Sequence, residues 1–429
     1  MRSGTWQLVI VCALGMTAGK VHAQGIAFSE VIFGGPGSQW GNDILIVGDF
    51  LYYCGMHNAT GDNEGRIGQF SLPPCSAAPN WEITWPGLFG SDAFFGMDGD
   101  DALYVAGSSY SLTTDAVGDK EPKSITAKFD FNGVAGAGPG GSLWTTQTPP
   151  GGAFPYNGFE GLNDVVVADE GGTPWLYVTG NSQPGGVSER LYLSKLDVNG
   201  VVQWTVTDGA LSVRSHGNAL SLLNGFVYAS GRSDDNGMPQ PYLVKYDTNG
   251  VVQWAQRVGN GTYNGIHAAG GFLYTVGQTS ISVSSDFLIA KWDEGGNLLW
   301  SRTYDRDSAN DKLFDVVELN GRLIAVGSTT GLTAGGTDAV VLEIDDASGD
   351  LLSSTLWGDI GEEAFNGVVS NGATVYAVGQ TTSFGADGQD MMIVGFAIPD
   401  SSCPADTNGD GTVNVTDLLA LLAAWGVCP

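Results

Sequence analysis

Basic residues are scarce in this sequence of 429 residues. Its 17 Lys and Arg stand against 46 Asp and Glu, which gives a formal net charge of −29. Proteins that bind nucleic acids or anionic membranes neutralise negative charge with clustered Lys and Arg. The shortage therefore argues against nucleic acid and against anionic membrane surfaces as partners. Basic partners and divalent cations are the ligands that such a charge favours.

Charged residues of either sign are also few, at 15% of the chain, whereas glycine is abundant at 65 residues. Typical domains contain about 25% charged residues and about 7% glycine. Hydrophobic residues make up 42% of the chain and aromatic residues 10%, which is enough for a large core. This composition argues against disorder and collagen, and it favours an all-β protein with many turns.

Long apolar runs are missing, and a membrane span needs about 20 apolar residues. The N-terminus instead carries a charge at Arg2, an apolar run over residues 8–14, and the sequence Val21-His22-Ala23 before Gln24. This order is typical of a secretory signal peptide with a small-x-small cleavage site, and a transmembrane anchor is the weaker alternative. We therefore predict a signal peptide over residues 1–23. The mature protein is expected to be secreted or on the cell surface without spanning the membrane.

Cysteine is rare as well, with five residues, and Cys12 lies in the predicted signal peptide. The other four form two pairs that are close in sequence, Cys54 with Cys75 and Cys403 with Cys428. In an exported protein such pairs indicate two local disulfides, each worth about 3 kcal/mol in the chain-entropy model. A zinc site is the weaker alternative, because the sequence has no CxxC spacing and no Cys/His cluster.

Short catalytic motifs are missing too: there is no GxSxG elbow, no HExxH and no P-loop. Three histidines lie outside the predicted signal peptide, and none has a neighbour at metal-ligand or triad spacing. We interpret these three as surface or strand-end residues: His57, His216 and His267. A carboxylate pair of the glycosidase type stays an alternative, because acids are plentiful and one sequence does not show which of them pair.

One motif recurs seven times along the middle of the chain, an apolar strand that ends in glycine. Its copies read LYYCG, LYVAG, LYVTG, VYASG, LYTVG, LIAVG and VYAVG, ending at Gly55, Gly107, Gly180, Gly231, Gly277, Gly327 and Gly379. A weaker strand precedes each copy; after it come a second strand such as YLVKYD, a tight turn and a strand with a Trp. Four short strands in about 50 residues, with no helix, indicate the blade of a β-propeller.

Two sets of residues recur at fixed places in these units. The Trp residues of the last strands are expected to pack between blades, with carbohydrate stacking as the alternative: Trp144, Trp204, Trp254 and Trp300. The first strand of each unit begins near a polar or aromatic residue: Asn42, Phe95, Asn163, Asn218, Asn264, Phe314 and Asn366. We expect the asparagines to cap turns or to form a polar collar around the channel.

The last unit, after residues 391–394, has no outer strand of its own, whereas residues 26–33 form a strand with no unit before it. We therefore predict that this N-terminal strand completes the last blade and closes the ring, which leaves no long exposed edge. The predicted fold is all-β, a seven-bladed β-propeller over residues 24–400 closed by an N-terminal strand. A small C-terminal calcium loop and helix follow it.

The repeats resemble the seven-bladed β-propeller repeat family of exported bacterial proteins over roughly residues 25–398. The resemblance rests on a K-x-D strand, an N-G or G-G turn, a Trp strand and an [LV]Y-x-x-G strand. Quinoprotein-like propellers share part of this rhythm. Those enzymes need a disulfide between adjacent cysteines and usually have eight blades, and this sequence has neither feature.

The C-terminal tail carries the most specific signal in the chain. Residues 406–417 read DTNGDGTVNVTD, with oxygen ligands at the spacing of a calcium loop and Gly411 at its sharp turn. The run TDLLALLAAWG that follows predicts one short helix ending near Gly426. The predicted ligands of one Ca²⁺ ion are Asp406, Asn408, Asp410, Thr412, Asn414 and Asp417.

This tail resembles the dockerin module over residues 403–429, and we assign residues 401–429 to it. Ordinary dockerins carry two calcium segments, whereas this chain has one. The tail is similar to the short, cysteine-bracketed, dockerin-like tails of exported bacterial proteins. The resemblance implies attachment to a cohesin-like protein or to a cell-surface protein. A second, weaker calcium candidate is the group formed by Asp305, Asp307 and Asp311.

Long polar loops are predicted to share one face of the ring, where binding usually resides. They span residues 108–124, 232–241, 278–285 and 381–389, and an insertion over 134–161 adds a lid-like loop or a longer connection. The leading hypothesis is a monomeric, non-catalytic, calcium-binding propeller that binds a carbohydrate or a protein on this face. The alternatives are a polysaccharide-active enzyme, either a glycoside hydrolase or a lyase, and a structural adhesive spacer.

Overall fold

The computed structural model describes residues 9–11, 28–33, 37–58, 61–74, 78–85, 91–109, 123–147, 160–182, 188–208, 213–235, 237–280, 284–331, 335–385, 388–398 and 415. Two strands precede the repeats, β1 (Val9–Val11) and β2 (Phe28–Phe33). The remaining strands form seven antiparallel sheets, one for each predicted blade. The prediction of an all-β, seven-bladed propeller is therefore confirmed.

Each of the first six blades contains four strands that follow chain order from the central channel outwards. Blade 7 begins with three such strands. The strands are β3 (Ser38–Val47), β4 (Phe50–Asn58), β5 (Glu64–Ser71) and β6 (Trp81–Trp85) in blade 1; β7 (Asp92–Gly99), β8 (Leu103–Ser109), β9 (Lys123–Phe129) and β10 (Trp144–Gln147) in blade 2; β11 (Glu160–Asp169), β12 (Pro174–Ser182), β13 (Arg190–Asp197) and β14 (Val202–Thr207) in blade 3; β15 (Ser215–Leu223), β16 (Phe226–Ser233), β17 (Gln240–Tyr246) and β18 (Val252–Arg257) in blade 4; β19 (Gly261–Ala269), β20 (Phe272–Thr279), β21 (Phe287–Asp293) and β22 (Leu298–Tyr304) in blade 5; β23 (Asp311–Leu319), β24 (Arg322–Thr329), β25 (Asp338–Asp345) and β26 (Leu351–Trp357) in blade 6; and β27 (Glu363–Ser370), β28 (Thr374–Thr381) and β29 (Asp390–Ala397) in blade 7.

The N-terminal strand closes the ring as predicted. β2 pairs antiparallel with β29, from Phe28 opposite Phe396 to Phe33 opposite Met391, and supplies the fourth strand of blade 7. β1 adds a short fifth strand to the same sheet, although its residues lie inside the predicted signal peptide. The first and last parts of the propeller are thus held together in one blade.

The hydrophobic core is divided among the junctions between blades. Seven clusters of buried apolar residues lie in the described part of the chain, and each joins two neighbouring blades, including blade 7 to blade 1. β8 and β25, for example, are buried on both faces almost throughout their length. This arrangement explains why the middle strands are apolar without alternation, because both faces of each sheet are covered by a neighbouring blade.

The recurring glycine has a steric reason. Every inner strand contains a β-bulge at the same step of the repeat, and the motif glycine pairs with the residue just before it. A Cβ atom on any of the seven glycines would lie 1.9 Å from a backbone oxygen of the inner strand. No side chain fits at that distance. Glycine is therefore required wherever the second strand passes the bulge.

The outer Trp residues pack between blades, as predicted. Trp144 Nε1 donates a hydrogen bond to the Val198 carbonyl of the next blade at 2.9 Å, and Trp254 and Trp300 make the equivalent bonds. The ring of Trp204 lies against Gly250 in the tight turn of the next blade. These indoles are therefore structural contacts, and the turn glycine provides the space for them.

Among the residues described, the only helical segment of three residues is the 3-10 turn Pro139–Gly141, inside the predicted insertion. It packs against blade 1, with Gly140 next to the Trp85 ring. No helix in the described part of the chain is long and apolar enough to cross a membrane. Of the predicted tail, only Val415 is described, so the calcium loop, its helix and the Cys403–Cys428 pair lie outside the described residues.

Cys54 is a free thiol in this structure and is fully buried in β4. It lies in the apolar cluster between blades 1 and 2, beside residues such as Ile67 and Phe94. Its predicted partner, Cys75, lies outside the described residues. The structure therefore does not show the predicted Cys54–Cys75 disulfide.

Candidate functional site

The long loops share one face of the propeller because of the strand order. Two kinds of connection lie at the end of the propeller where the inner strands begin: those from the second to the third strand of a blade, and those from one blade to the next. We call this the long-loop face. The opposite, short-turn face carries tight turns such as Thr248-Asn249-Gly250. Parts of the predicted loops, including residues 110–122 and 148–159, lie outside the described residues.

Two cavities open on the long-loop face over blades 4 to 7. The larger, about 490 Å³, lies between blades 6 and 7, and the smaller, about 360 Å³, lies over blades 4 to 6. Asn310 lines both cavities. We therefore treat them as one groove, called the blade 4–7 groove.

Polar side chains line most of the blade 4–7 groove. The larger cavity has amide, hydroxyl and ammonium groups from Asn310, Lys312, Thr330, Gln380 and Gln389, with Phe314 and Ala364 as apolar surface. The smaller cavity has Arg232, Thr262, Gln278, Ser284 and Ser285. These groups donate and accept hydrogen bonds in many directions, as a ligand rich in hydroxyl groups requires.

Buried acids hold the loops around this groove. Glu363, the first residue of β27, accepts hydrogen bonds at Oε1 from the Thr381 hydroxyl (3.0 Å), the Thr382 N–H (3.2 Å) and the Ser383 N–H (3.1 Å). In blade 6, Asp311 accepts bonds from the Arg306 N–H (2.7 Å) and the Thr329 hydroxyl. The hydrogen bonds to Glu363 therefore fix the start of the loop that carries Gln389.

The same contacts decide the weaker calcium candidate. The Asp311 carboxylate already accepts the hydrogen bonds described above, and the Asp305 carboxylate accepts one from the Ser308 N–H at 2.8 Å. Across the described ranges, no three His, Cys, Asp or Glu side chains are grouped so that they could hold a metal ion. The predicted site at residues 305–311 is therefore not formed.

Below the groove lies the central channel, whose cavity measures about 220 Å³. Five asparagines at the inner-strand bulges form the polar collar that the sequence suggested. Each donates a side-chain hydrogen bond at 2.7–2.8 Å to the backbone carbonyl just before the bulge of the next blade, as Asn42 does to Phe94 and Asn366 does to Gly41. The collar therefore joins blades, and the two remaining bulge positions carry Phe95 and Phe314.

Four channel aspartates make a second set of contacts between blades. Asp43 accepts from the Met97 N–H (2.7 Å), Asp98 from Val167 (2.7 Å) and Asp164 from Leu220 (2.6 Å). Asp315 accepts from the Val368 N–H at 2.9 Å. Together with the asparagines, these aspartates give every one of the seven junctions at least one bond from a side chain to the backbone of the next blade.

Burial raises the pKa of each of these carboxyls. It raises the pKa of Asp98 to about 6, of Asp315 to about 7 and of Asp164 to about 8. The pKa of Asp43 is raised well above its usual value by burial and then by the nearby charges of Asp164 and Asp315. Hydrogen bonds from backbone N–H groups lower each pKa, but by less than burial raises it.

Sequence reasoning missed this aspartate set, although a signal was present. At the position after the bulge, three of the four acids occur and the other blades carry small residues: Asp43, Gly96, Asp164, Ala219, Gly265, Asp315 and Gly367. The three glycines lie against the bulge of the next blade, in each case one that carries an aspartate. A small residue therefore precedes each of Asp43, Asp164 and Asp315 around the ring, and no two of these three are neighbours. Asp98 lies three residues after the bulge of its strand and is not part of this pattern.

The histidines do not form a catalytic group with one another. His216 is near the start of β15, where its Nε2 lies 3.0 Å from Glu189 Oε2, and Arg214 pairs with the same carboxylate. His57 lies near the end of β4. His267 was predicted at a strand end or on the surface, but it lies within β19, and burial lowers its pKa to about 4.

Comparisons with known proteins support the fold assignment but do not indicate a function. No family model and no curated protein sequence matches this chain. Among solved structures, the hydrazine synthase of Kuenenia stuttgartiensis is similar with a TM-score of 0.51 and 10% identity, over 79% of this chain and 92% of that chain. The polysaccharide lyase Uly1 (TM-score 0.48, 10% identity, 83% of this chain and 90% of that one) is a more distant match. So is the WD40 β-propeller domain of Doa1 (TM-score 0.48, 13% identity, 90% and 99%). At such identities the likeness supports the β-propeller fold alone.

Proposed function

We propose that this protein is an exported, non-catalytic binding module that holds a carbohydrate in the blade 4–7 groove. The observation that carries the proposal is the groove itself, two adjoining cavities of about 490 and 360 Å³ lined mainly by amides and hydroxyls. Sugar hydroxyls need both donors and acceptors, and Asn, Gln, Ser and Thr supply them. Phe314 and Ala364 offer apolar surface for the C–H face of a sugar ring.

The rigidity of the groove walls supports binding. Many of its residues come from the ends of inner and second strands, which the bulges, the asparagine collar and the channel aspartates fix to neighbouring blades. Others, such as Ser284 and Gln389, come from loops. A site built on strands loses little conformational entropy when a ligand binds. Polar contacts that each contribute little binding free energy can therefore still add up to saturable binding.

The second part of the proposal is attachment through the tail. The ligand set Asp406, Asn408, Asp410, Thr412, Asn414 and Asp417 is proposed to bind one Ca²⁺ and to order a docking element for a cohesin-like or cell-surface protein. Calorimetry on the full chain should give one calcium ion bound per molecule. Asp410→Ala should abolish this binding, whereas Asp305→Ala should not change it. Equal calcium binding by the Asp410→Ala protein would contradict the assignment.

One observation favours an enzyme as the second candidate. The channel holds four carboxyls with raised pKa values, and such groups serve as general acids in polysaccharide hydrolysis and lysis. Each of them, however, also accepts a backbone N–H from the next blade, which gives it a structural role. We therefore place the binding module first and the enzyme second.

The test is a glycan-binding screen combined with an assay for released reducing ends and unsaturated products. Saturable binding without product supports the binding module, turnover supports the enzyme, and the absence of both supports a structural spacer. Asn310→Ala and Gln389→Ala should each weaken binding roughly three- to tenfold, the effect of one or two lost hydrogen bonds. The matched control is Asn249→Ala on the short-turn face. Its affinity should equal that of the unaltered protein.

A further inference from the structure

Lys312 differs from the other lysines whose contacts the structure describes. Lys128, Lys195, Lys245 and Lys291 form ion pairs on the short-turn face, with N···O distances of 3.3, 2.8, 3.1 and 2.7 Å. Lys312 is exposed and lines the larger cavity of the groove. Its ammonium forms no ion pair or hydrogen bond within the described part of a chain that carries 46 acids. A cation without a partner among the described residues is available to a ligand.

The position of Lys312 in the repeat directs it to the groove. It lies two residues before the bulge of β23, and its neighbours on either side, Asp311 and Leu313, are buried. Thr262 occupies the same place in blade 5 and lines the adjoining cavity. Alternation along the strand therefore places the Lys312 side chain on the open side, beside the amides of the groove.

The acids nearby do not neutralise this lysine. Glu363 lines the same cavity, but its Oε1 accepts three bonds from residues 381–383 and its Oε2 accepts the Asp359 N–H at 3.1 Å. Glu362 is exposed at the rim, where its carboxylate can accept a hydrogen bond from a sugar hydroxyl. The groove thus presents one ammonium with no ion pair among the described residues, surrounded mainly by amides and hydroxyls, with the carboxylates of Glu362 and Glu363 in the same cavity.

We infer that the ligand of the blade 4–7 groove is an acidic sugar, with its carboxylate at the Lys312 ammonium and its hydroxyls at the surrounding amides. The inference rests on the proposed function and specifies its ligand class. A carboxylate bound to an ammonium forms a hydrogen bond about twice as strong as a neutral one. The acid group therefore sets the position of the sugar, and the amides read its hydroxyls.

The net charge of −29 determines how the test is designed. A long polyanion would be repelled by the whole surface before it reached the groove. The probe is therefore a hexuronate trisaccharide, compared with the same trisaccharide after reduction of its carboxyls to hydroxymethyl groups. An ionic strength of about 0.15 M limits the range of the repulsion to about 8 Å.

Calorimetry should show that the full chain binds the acidic trisaccharide at least tenfold more tightly than the reduced one. Lys312→Met should remove this preference, whereas Lys312→Arg should keep it within about threefold, since the charge is retained. Lys128→Met is the control, because it removes the same charge on the other face. It should leave both affinities unchanged. Unfolding temperatures should confirm that each variant is folded.

Two results would overturn the inference, and they differ in what else they remove. If the unaltered protein binds both trisaccharides equally, or if Lys312→Met keeps the preference, the acidic-sugar inference is wrong while the carbohydrate-binding function stands. If no glycan of either kind binds, both the inference and the proposed function are wrong.

Discussion

The two faces of the propeller are built in different ways. On the short-turn face, contacts repeat from blade to blade: a lysine pairs with an acid, and an outer indole N–H binds a turn carbonyl of the next blade. On the long-loop face, the residue two places before the bulge is Trp40, Ala93, Gly161, His216, Thr262, Lys312 or Ala364, depending on the blade. Repeated contacts are the mark of a structural role, and the variable positions are those free to differ for binding.

The channel wall lies between these two extremes. All seven junctions have a bond from an asparagine or aspartate side chain to the next blade, but the choice of residue differs from blade to blade. Blades 1 and 3 use both residue types, whereas blades 4, 5 and 7 use asparagine alone. The requirement is thus a bond across each junction, and either side chain meets it.

The largest effect should come from breaking the ring itself. Deleting residues 24–35 removes β2, the strand that pairs with β29 and contributes Val31 and Ile32 to two inter-blade clusters. We expect loss of more than about 5 kcal/mol in the free energy of unfolding, or no folded protein at all. Denaturant titration of the mature chain measures this. Deletion of residues 401–429 is the control and should leave the unfolding of the ring unchanged.

The next largest effect should come from the motif glycine. In Gly277→Ala the new Cβ would lie 1.9 Å from the Thr262 carbonyl oxygen, so the bulge or the second strand must move. We expect a loss of about 3 kcal/mol or more. Gly271→Ala in the same blade is the comparison: its φ is +84° and nothing lies within 4 Å, so the loss should be about 1 kcal/mol. Equal losses would show that the close approach is not the reason for the motif.

Two lysines on adjacent blades test the difference between the faces directly. Lys291 pairs with Asp346 at 2.7 Å and lies 4.1 Å from the Phe272 ring centroid, whereas Lys312 has no described partner. Lys291→Met should cost about 2 kcal/mol of stability and leave ligand binding intact. Lys312→Met should cost less than about 0.5 kcal/mol and weaken acidic-sugar binding. Thermal unfolding and calorimetry measure the two properties, and the reverse pattern would refute the division of roles.

The sequence was sufficient to predict the ring because the repeat itself carries the information. Seven glycine-ending strands set the number of blades, and the unpaired N-terminal strand indicated the closure between β2 and β29. The outer Trp residues were correctly placed between blades because four of them occupy the same step of the repeat. A feature that recurs in each of seven units can be predicted from the sequence with little error.

The groove could be predicted only in part, because its residues are not repeated. Lys312, Gln389 and Asn310 come together from a strand start and two loops of different blades, and their separations in sequence carry no period. His267 lies within β19 and is half-buried, and burial lowers its pKa to about 4, which one strand considered alone does not reveal. Asp43, Asp164 and Asp315 were missed because each was considered alone, whereas their shared position appears only when all seven blades are aligned. Asp98 does not share that position.

The last expected effect depends on pH and concerns the channel wall. Burial raises the pKa of Asp315 to about 7, above the value of about 3.9 in an unfolded chain, so the folded state holds a proton that the unfolded state releases. The free energy of unfolding should therefore be highest near pH 4 and fall as the pH rises to about 7.

Asp315→Asn should reduce this fall by up to about 4 kcal/mol, the equivalent of about three pKa units, since one titrating group is removed. Its amide oxygen can still accept the Val368 N–H, which the native carboxylate binds at 2.9 Å. Denaturant titrations at several pH values measure the slope of the free energy of unfolding against pH. If the stability of the unaltered protein instead rose from pH 4 to 7, the channel carboxyls would be stabilised as anions by the backbone N–H groups, and their contribution to the blade junctions would be electrostatic.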